Sequence, residues 1–139
     1  EKFAEFEKKA KSTHIKIYRN SPFDEIVSLY SRAKIYWHAS GFMEDLEKHP
    51  ERAEHFGIST VEAMSYGQVP IVINAGGQPE IVIDNDNGFL WDKEEELLSR
   101  THKVAVDKEL LENLSKRAIE TSKNFSEERF CEELNHLIW

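Results

Sequence analysis

A single cysteine, Cys131, stands among 139 residues. That excludes a disulfide framework and any thiolate metal site built within the chain, and it suits a reducing, cytoplasmic setting. Basic residues are short as well: 18 Lys and Arg face 26 Asp and Glu, a formal charge of −8. Bulk charge of that sign does not hold a phosphate backbone, so no nucleic-acid partner is expected. No apolar run approaches the length of a membrane span. The opening Glu1-Lys2-Phe3-Ala4-Glu5-Phe6 is charged and interrupted where a signal peptide would be apolar. Internal repeats and low-complexity tracts are also missing. What is present is 40% hydrophobic and 32% charged residues, the balance of one soluble globular domain. The length is too small for an ordinary two-domain enzyme.

Strand and helix signals alternate along this chain. Glu1 to about Ser12 has a helical pattern with no cap before it, as though a helix were entered in its middle. His14-Ile15-Lys16-Ile17-Tyr18 alternates like a strand and meets the turn formers Asn20, Ser21 and Pro22. Ser21 and Pro22 then suit the start of a helix that carries Ile26, Val27, Leu29 and Tyr30 and ends near Ala33. Lys34 to Ala39 is a short apolar run of the kind found in parallel strands covered on both faces. Gly41 to Ala53 reads as a surface excursion with one helical turn. After it come a helix over Ser59 to Tyr66, a buried strand over Val69 to Ile73, a helix over Gln78 to Ile83 and a strand over Gly88 to Trp91. From about Glu94 apolar residues recur at helical spacing, and a final amphipathic helix opens at Ser126 and runs through Ile138. Trp37 and Trp91 fall in strand patterns and are expected in the core. The alternation predicts an α/β fold with a doubly wound, Rossmann-like parallel sheet in a single domain over residues 1–139.

The densest chemistry lies between Glu54 and Gly67. Ser59 fits a helix N-cap, with Glu62 three residues on reaching back to the cap, and that alone accounts for a Ser-x-x-Glu pattern. The competing reading uses the same amides to hold an anion such as a diphosphate, with Gly57 letting the ligand approach the backbone. Glu54 lies before the loop and has no such capping role. Gly76-Gly77 is open to two readings, a plain turn or a pocket border, and Glu80 suits the first turn of the helix that follows. His38 and Ser40 end a strand at the carboxyl edge, where open α/β sheets bind ligands, though a histidine there is as often a packed core residue. His49 and His55 lack partners at metal-ligand spacing, and Glu44, Asp45 and Glu47 read as a solvated face, so no metal site is expected.

Glu54-His55-Phe56-Gly57-Ile58-Ser59-Thr60-Val61-Glu62-Ala63-Met64 resembles the Glu-x7-Glu motif of the retaining glycosyltransferases of family four, in their C-terminal nucleotide-sugar-binding domain. Tyr66 to Ile73, Gly76 to Val82 and Asn87 to Leu90 resemble the next blocks of that domain, in order. The resemblance implies one half of a GT-B enzyme, in which two Rossmann-like domains face each other across a cleft and a sugar leaves a nucleotide donor with its anomeric configuration retained. It implies Glu54 as the catalytic carboxylate facing the donor sugar and Glu62 as the acceptor of the ribose hydroxyls. Backbone amides of Phe56, Gly57, Ile58, Ser59 and Thr60 would meet sugar and phosphates, with Gly76 and Gly77 bordering the pocket. The nucleotide sugar is then a substrate, and no cofactor is expected.

The excursion over 41–53 is longer than the family's usual link, as in a subset of bacterial and archaeal members, and reads as a tolerated surface insertion, with a lid or an acceptor-side contact as the alternatives. The Arg and Lys that neutralise the diphosphate in the family precede this segment, so the chain is expected to be an N-terminally truncated donor domain. A missing N-terminal acceptor domain is the expected partner, the fragment alone is expected to be inactive, and membrane contact through the missing half is left open. A non-catalytic Rossmann-like nucleotide-binding or interaction module is the alternative.

Overall fold

The computed structural model describes residues 2–138. Glu1 and Trp139, the ends of the expected domain, lie outside the described residues, as do the side chains of Phe3 and Ala4. Three strands, β1 (Ile35–His38), β2 (Val69–Ile73) and β3 (Phe89–Trp91), form one parallel sheet in the order β1-β2-β3. Trp37 sits opposite Ile71, which sits opposite Phe89, so the side-chain period runs in step across the sheet. Around the strands lie α1 (Lys2–Lys11), α2 (Phe23–Arg32), α3 (Ile58–Ser65), α4 (Gln78–Ile81), α5 (Glu94–Val106), α6 (Lys108–Ser122) and α7 (Glu127–Ile138).

Each face of the sheet has its own cover. Val69, Ile71 and Ile73 of β2, with Phe89 and Trp91 of β3, point to one side and pack on Val104 of α5 and Leu114 of α6. Val72 and Leu90 point to the other and meet Met64 of α3, Ile81 and Val82 around α4, and Ala118 of α6. All five residues of β2 are buried, which is why this strand reads as an unbroken apolar run rather than an alternating one. Each large apolar side chain so buried is worth about 1.5–3 kcal/mol. The sheet is thus α/β and parallel with helices on both faces, as the alternation predicted.

Several local expectations change. Residues 15–19 form no strand. Ile15 and Tyr18 stay exposed, and among the described residues no neighbouring strand accepts their ladder, so alternation alone does not suffice without a pairing edge. Trp37 is half exposed at the outer strand and donates from Nε1 to Thr101 Oγ1 of α5 at 2.9 Å, whereas Trp91 is core, with a buried Nε1 that has no partner among the described residues. The run from Glu94 divides into α5 and α6 where the Asp107 side chain accepts from the Leu110 amide and caps α6.

The excursion over 41–53 folds on itself. Arg52 donates to Glu44 at 2.5 Å and Lys48 to Asp45 at 2.6 Å, residues Pro50–Arg52 make one 3-10 turn, and the Phe42 ring tilts against Trp91 at 5.1 Å.

Candidate functional site

Parallel strands deliver their carboxyl ends to one edge of the sheet, and two loops meet there. One follows the excursion and carries Glu54 to Gly57 into α3. The other leaves β2 and carries Asn74 to Gly77 into α4. They touch through backbone: Gly77 N–H donates to Glu54 O at 2.8 Å. A β-carbon on Gly76 would lie 2.2 Å from Glu54 O, and one on Gly77 would lie 2.4 Å from His55 O. Gly76 also has φ +60°. The pair therefore does more than turn the chain: the absence of side chains is what lets the two loops lie against each other.

Gly57 is the N-cap of α3, with φ +103°. This corrects the expectation that Ser59 caps the helix. The chain turns into helix two residues earlier because a left-handed residue is available there, and Ser59 is carried inside, where its hydroxyl pairs with Tyr36 Oη at 2.7 Å. Without a Ser59 cap there is no capping box, and Glu62 is released from it. The Glu62 carboxylate instead accepts from Tyr30 Oη of α2 at 3.2 Å. Tyr30 stacks on Tyr66 with ring centroids 5.6 Å apart. Partial burial, and then the negative charge of Glu62, push the Tyr30 phenol up to about 12.

The amides of Ile58 and Ser59 open α3 without intrahelical acceptors, as helix geometry requires, and Ile58 is an exposed first residue. The Thr60 amide differs from the expectation that it meets a ligand: it closes the first turn on Gly57 O at 2.9 Å. Its side chain is fully buried and donates to Gln78 Oε1 at 2.9 Å. The Phe56 ring lies edge-on to Phe125 at 5.6 Å, tying the loop to the segment before α7.

Glu54 is half-buried, and its Oε2 faces His38 Nε2 at 3.5 Å. On its open side lies a hollow of about 340 Å³ bounded by Leu46, Pro50 and Ala53 of the excursion and by Glu54, His55 and Gly76. The excursion is therefore a wall of the space beside Glu54 and not a remote bulge. Among the described residues no group of three or more His, Cys, Asp or Glu is placed to hold a metal ion, and no helix is long and apolar enough to cross a membrane.

The structure thus brings Glu54, Phe56, Gly57, Ile58, Ser59, Gly76 and Gly77 to one edge, with Glu62 one helical step further along α3. Tyr30 and Gln78 were missed from sequence. Tyr30 carries no local signal, since its partner is 32 positions away. Gln78 carries a faint one: a polar residue opening a helix whose buried side it shares with Ile81.

A model of the family described as glycosyl transferases group 1 matches residues 1–121. A glycosyltransferase of Methanocaldococcus jannaschii is 30% identical over 130 residues, which is 92% of this chain and 34% of that protein. The GDP-Man:Man(3)GlcNAc(2)-PP-Dol alpha-1,2-mannosyltransferase of Dictyostelium discoideum is 36% identical over 78 residues, 55% of this chain and 15% of that protein. The chain therefore spans about a third or less of the length of these relatives. Among solved structures, the C-terminal domain of a group 1 family glycosyl transferase from Francisella tularensis matches with a TM-score of 0.68 at 23% identity, covering 88% of this chain and 60% of that one. That likeness gives the fold, the C-terminal half of a GT-B architecture.

Proposed function

The chain belongs to the group 1 glycosyl transferases, and from that premise we propose that it is the donor-binding half of a retaining glycosyltransferase that acts on a nucleotide sugar. The observation that carries this reading is the disposition of two carboxylates about one glycine turn. Glu54 stands before Gly57 and borders a hollow, and Glu62 stands after it on α3 with its oxygens unused by capping.

Each carboxylate suits a different part of the ligand. Glu54 accepts hydrogen bonds from sugar hydroxyls and stabilises the positive charge that develops at the anomeric carbon as the bond to phosphate breaks. Glu62 accepts the two ribose hydroxyls, with Tyr30 holding one of its oxygens from the far side. Between them the amides at the start of α3, from Phe56 to Ser59, point at the space where phosphates would sit. Gly76 and Gly77 line the pocket by backbone. Thr60 acts from behind, through Gln78, rather than on the ligand.

The rest of the activity belongs to a longer protein. An N-terminal domain supplies the acceptor site and the cations that neutralise the diphosphate, and closes over this half during turnover. No metal takes part in this reading, the setting is cytoplasmic, and this chain alone is inactive. A relative whose name specifies GDP-Man makes GDP and GDP-mannose the first ligands to test.

Titration calorimetry of the chain with GDP tests the reading. Binding is expected to be weak, and Glu62→Ala is expected to weaken it further while unfolding stays cooperative and stability moves by no more than about 0.5 kcal/mol, as befits an exposed residue. Unchanged affinity removes the ribose role. In the complete enzyme Glu54→Gln is expected to lower turnover more than donor binding. Loss of binding alone, with saturated turnover intact, removes its role in the transition state.

A further inference from the structure

A line of polar contacts runs from the interior of the fold to Glu54. Thr60 Oγ1 lies 2.9 Å from Gln78 Oε1, Gln78 Nε2 lies 3.4 Å from His38 Nδ1, and His38 Nε2 lies 3.5 Å from Glu54 Oε2. Gln78 and Thr60 are fully buried, and the His38 side chain is 11% exposed. The four residues come from α3, α4, the end of β1 and the loop before Gly57. Such a chain of donors and acceptors, closed to water at its Thr60 and Gln78 end, has few consistent proton arrangements.

From the buried end, the Thr60 hydroxyl has Gln78 Oε1 as its acceptor, so the Gln78 amide turns its nitrogen toward His38. That nitrogen only donates, so His38 Nδ1 must accept. A neutral imidazole that accepts at Nδ1 carries its proton on Nε2. From the exposed end the conclusion is the same, because the Glu54 carboxylate only accepts and requires a proton on the nitrogen that faces it. The opposite neutral tautomer would set two acceptors against each other at 3.5 Å.

We propose that His38 is a positioning residue for Glu54: a neutral imidazole, locked in its Nε2–H tautomer by Gln78 and Thr60, that fixes the direction of the carboxylate. The proposal rests on the reading of Glu54 as the carboxylate that faces the donor sugar. A neutral donor orients Glu54 without cancelling its charge, which stays available to the developing positive centre. The 3.5 Å separation is long for a hydrogen bond, and contacts of this kind in ligand-free sites tighten once substrate is held. His38 is well suited to the task because it ends β1 inside the parallel ladder, with Val72 of β2 as its registered neighbour, while Glu54 itself sits on a loop.

Two measurements test this. Long-range proton–nitrogen correlation NMR on the chain, at a pH above the ordinary histidine range, is expected to show His38 as the Nε2–H tautomer, and only removal of both neighbours, Gln78→Leu with Glu54→Ala, is expected to restore the mixture of a free imidazole. An Nδ1–H tautomer or an imidazolium in the unaltered chain overturns the proposal. In the complete enzyme the pair His38→Gln and His38→Asn separates positioning from packing. The Gln amide reaches the place of Nε2 and keeps the donor, whereas the shorter Asn amide reaches only the place of Nδ1. Turnover at saturating donor is expected to fall about 10- to 100-fold in His38→Asn, with donor KM little changed, and to recover largely in His38→Gln. Equal losses in both variants reduce His38 to packing. A fully active Glu54→Gln refutes the sugar role and this proposal together, whereas an inactive Glu54→Gln beside an unimpaired His38→Asn refutes this proposal alone.

Discussion

Replacing Gly77 by alanine sets two effects of opposite sign against each other. Gly77 has φ −78° and ψ −6°, a helical conformation open to any residue, and it is the N-cap of α4. Backbone considerations alone therefore predict that alanine stabilises the fold by about 0.4–1 kcal/mol through the unfolded chain. The contact geometry predicts the reverse. The new β-carbon would stand 2.4 Å from His55 O and 2.9 Å from Phe56 Cα, and β-carbons essentially never approach a neighbour closer than 3.0 Å, so the two loops must part by about 0.6 Å. Both crowded partners are backbone and cannot swing aside as a side chain would. The same movement stretches the Gly77 N to Glu54 O hydrogen bond from 2.8 Å toward the limit at which it counts as one. Overpacking of this kind costs about 1–3 kcal/mol, which exceeds the entropic gain. For a domain of this size, each kcal/mol moves the melting temperature by about 3–4 °C. Gly77→Ala is expected to melt several degrees lower and to lose GDP affinity, because the displaced loop is the one that carries Glu54 to Gly57. Differential scanning calorimetry with titration of GDP reads both. A variant as stable as the parent, or more so, refutes the argument that the loops are joined backbone to backbone.

Thr60→Val keeps the shape of the side chain but leaves Gln78 Oε1 without its donor in a fully buried place, so urea unfolding is expected to show a loss of about 1–3 kcal/mol. Thr60→Ser, which keeps the hydroxyl, is expected to lose less, and equal losses would count against the hydrogen bond. The Tyr30 phenol, with its ordinary value of 10.0, is held up to about 12 by burial and by Glu62. A raised folded-state value means that the native protein binds more protons than the unfolded chain across this window. The contribution is full below pH 10 and is lost as pH rises through about 12. Ultraviolet titration of Glu62→Gln beside the parent is expected to show the Tyr30 phenol moving earlier, and an unmoved titration would mean that Glu62 does not bear on Tyr30.

The sheet was legible because its signal is long and redundant. β2 is apolar at every position, the strands alternate with helices, and the two carboxylates sit at fixed spacing around a glycine. Failures came where a pattern lacked a partner or met a stronger rival. His14 to Tyr18 alternate as a strand does but find no edge to pair with among the described residues. Ser59 is a good cap in isolation, yet Gly57, two residues earlier, takes the position through a conformation that serine does not readily adopt. The link between Gln78 and His38 spans 40 positions. Periodicity does not register such a contact, since it exists only once both strands and both loops have been set in place.

The excursion between Gly41 and Ala53 leaves the fold and returns to it at one point: a β-carbon on Gly41 would sit 3.4 Å from Ala53 Cα. A detour whose ends already meet is thermodynamically cheap to lengthen, since doubling a closed loop costs only about 0.6 kcal/mol. Phe42 packs on Trp91 and against the core, but residues 43–52 are open to exchange without disturbing the strands on either side, and Leu46 and Pro50 among them border the hollow next to Glu54. Grafting other segments between Phe42 and Ala53 is accordingly a practical route to altering what this pocket accepts.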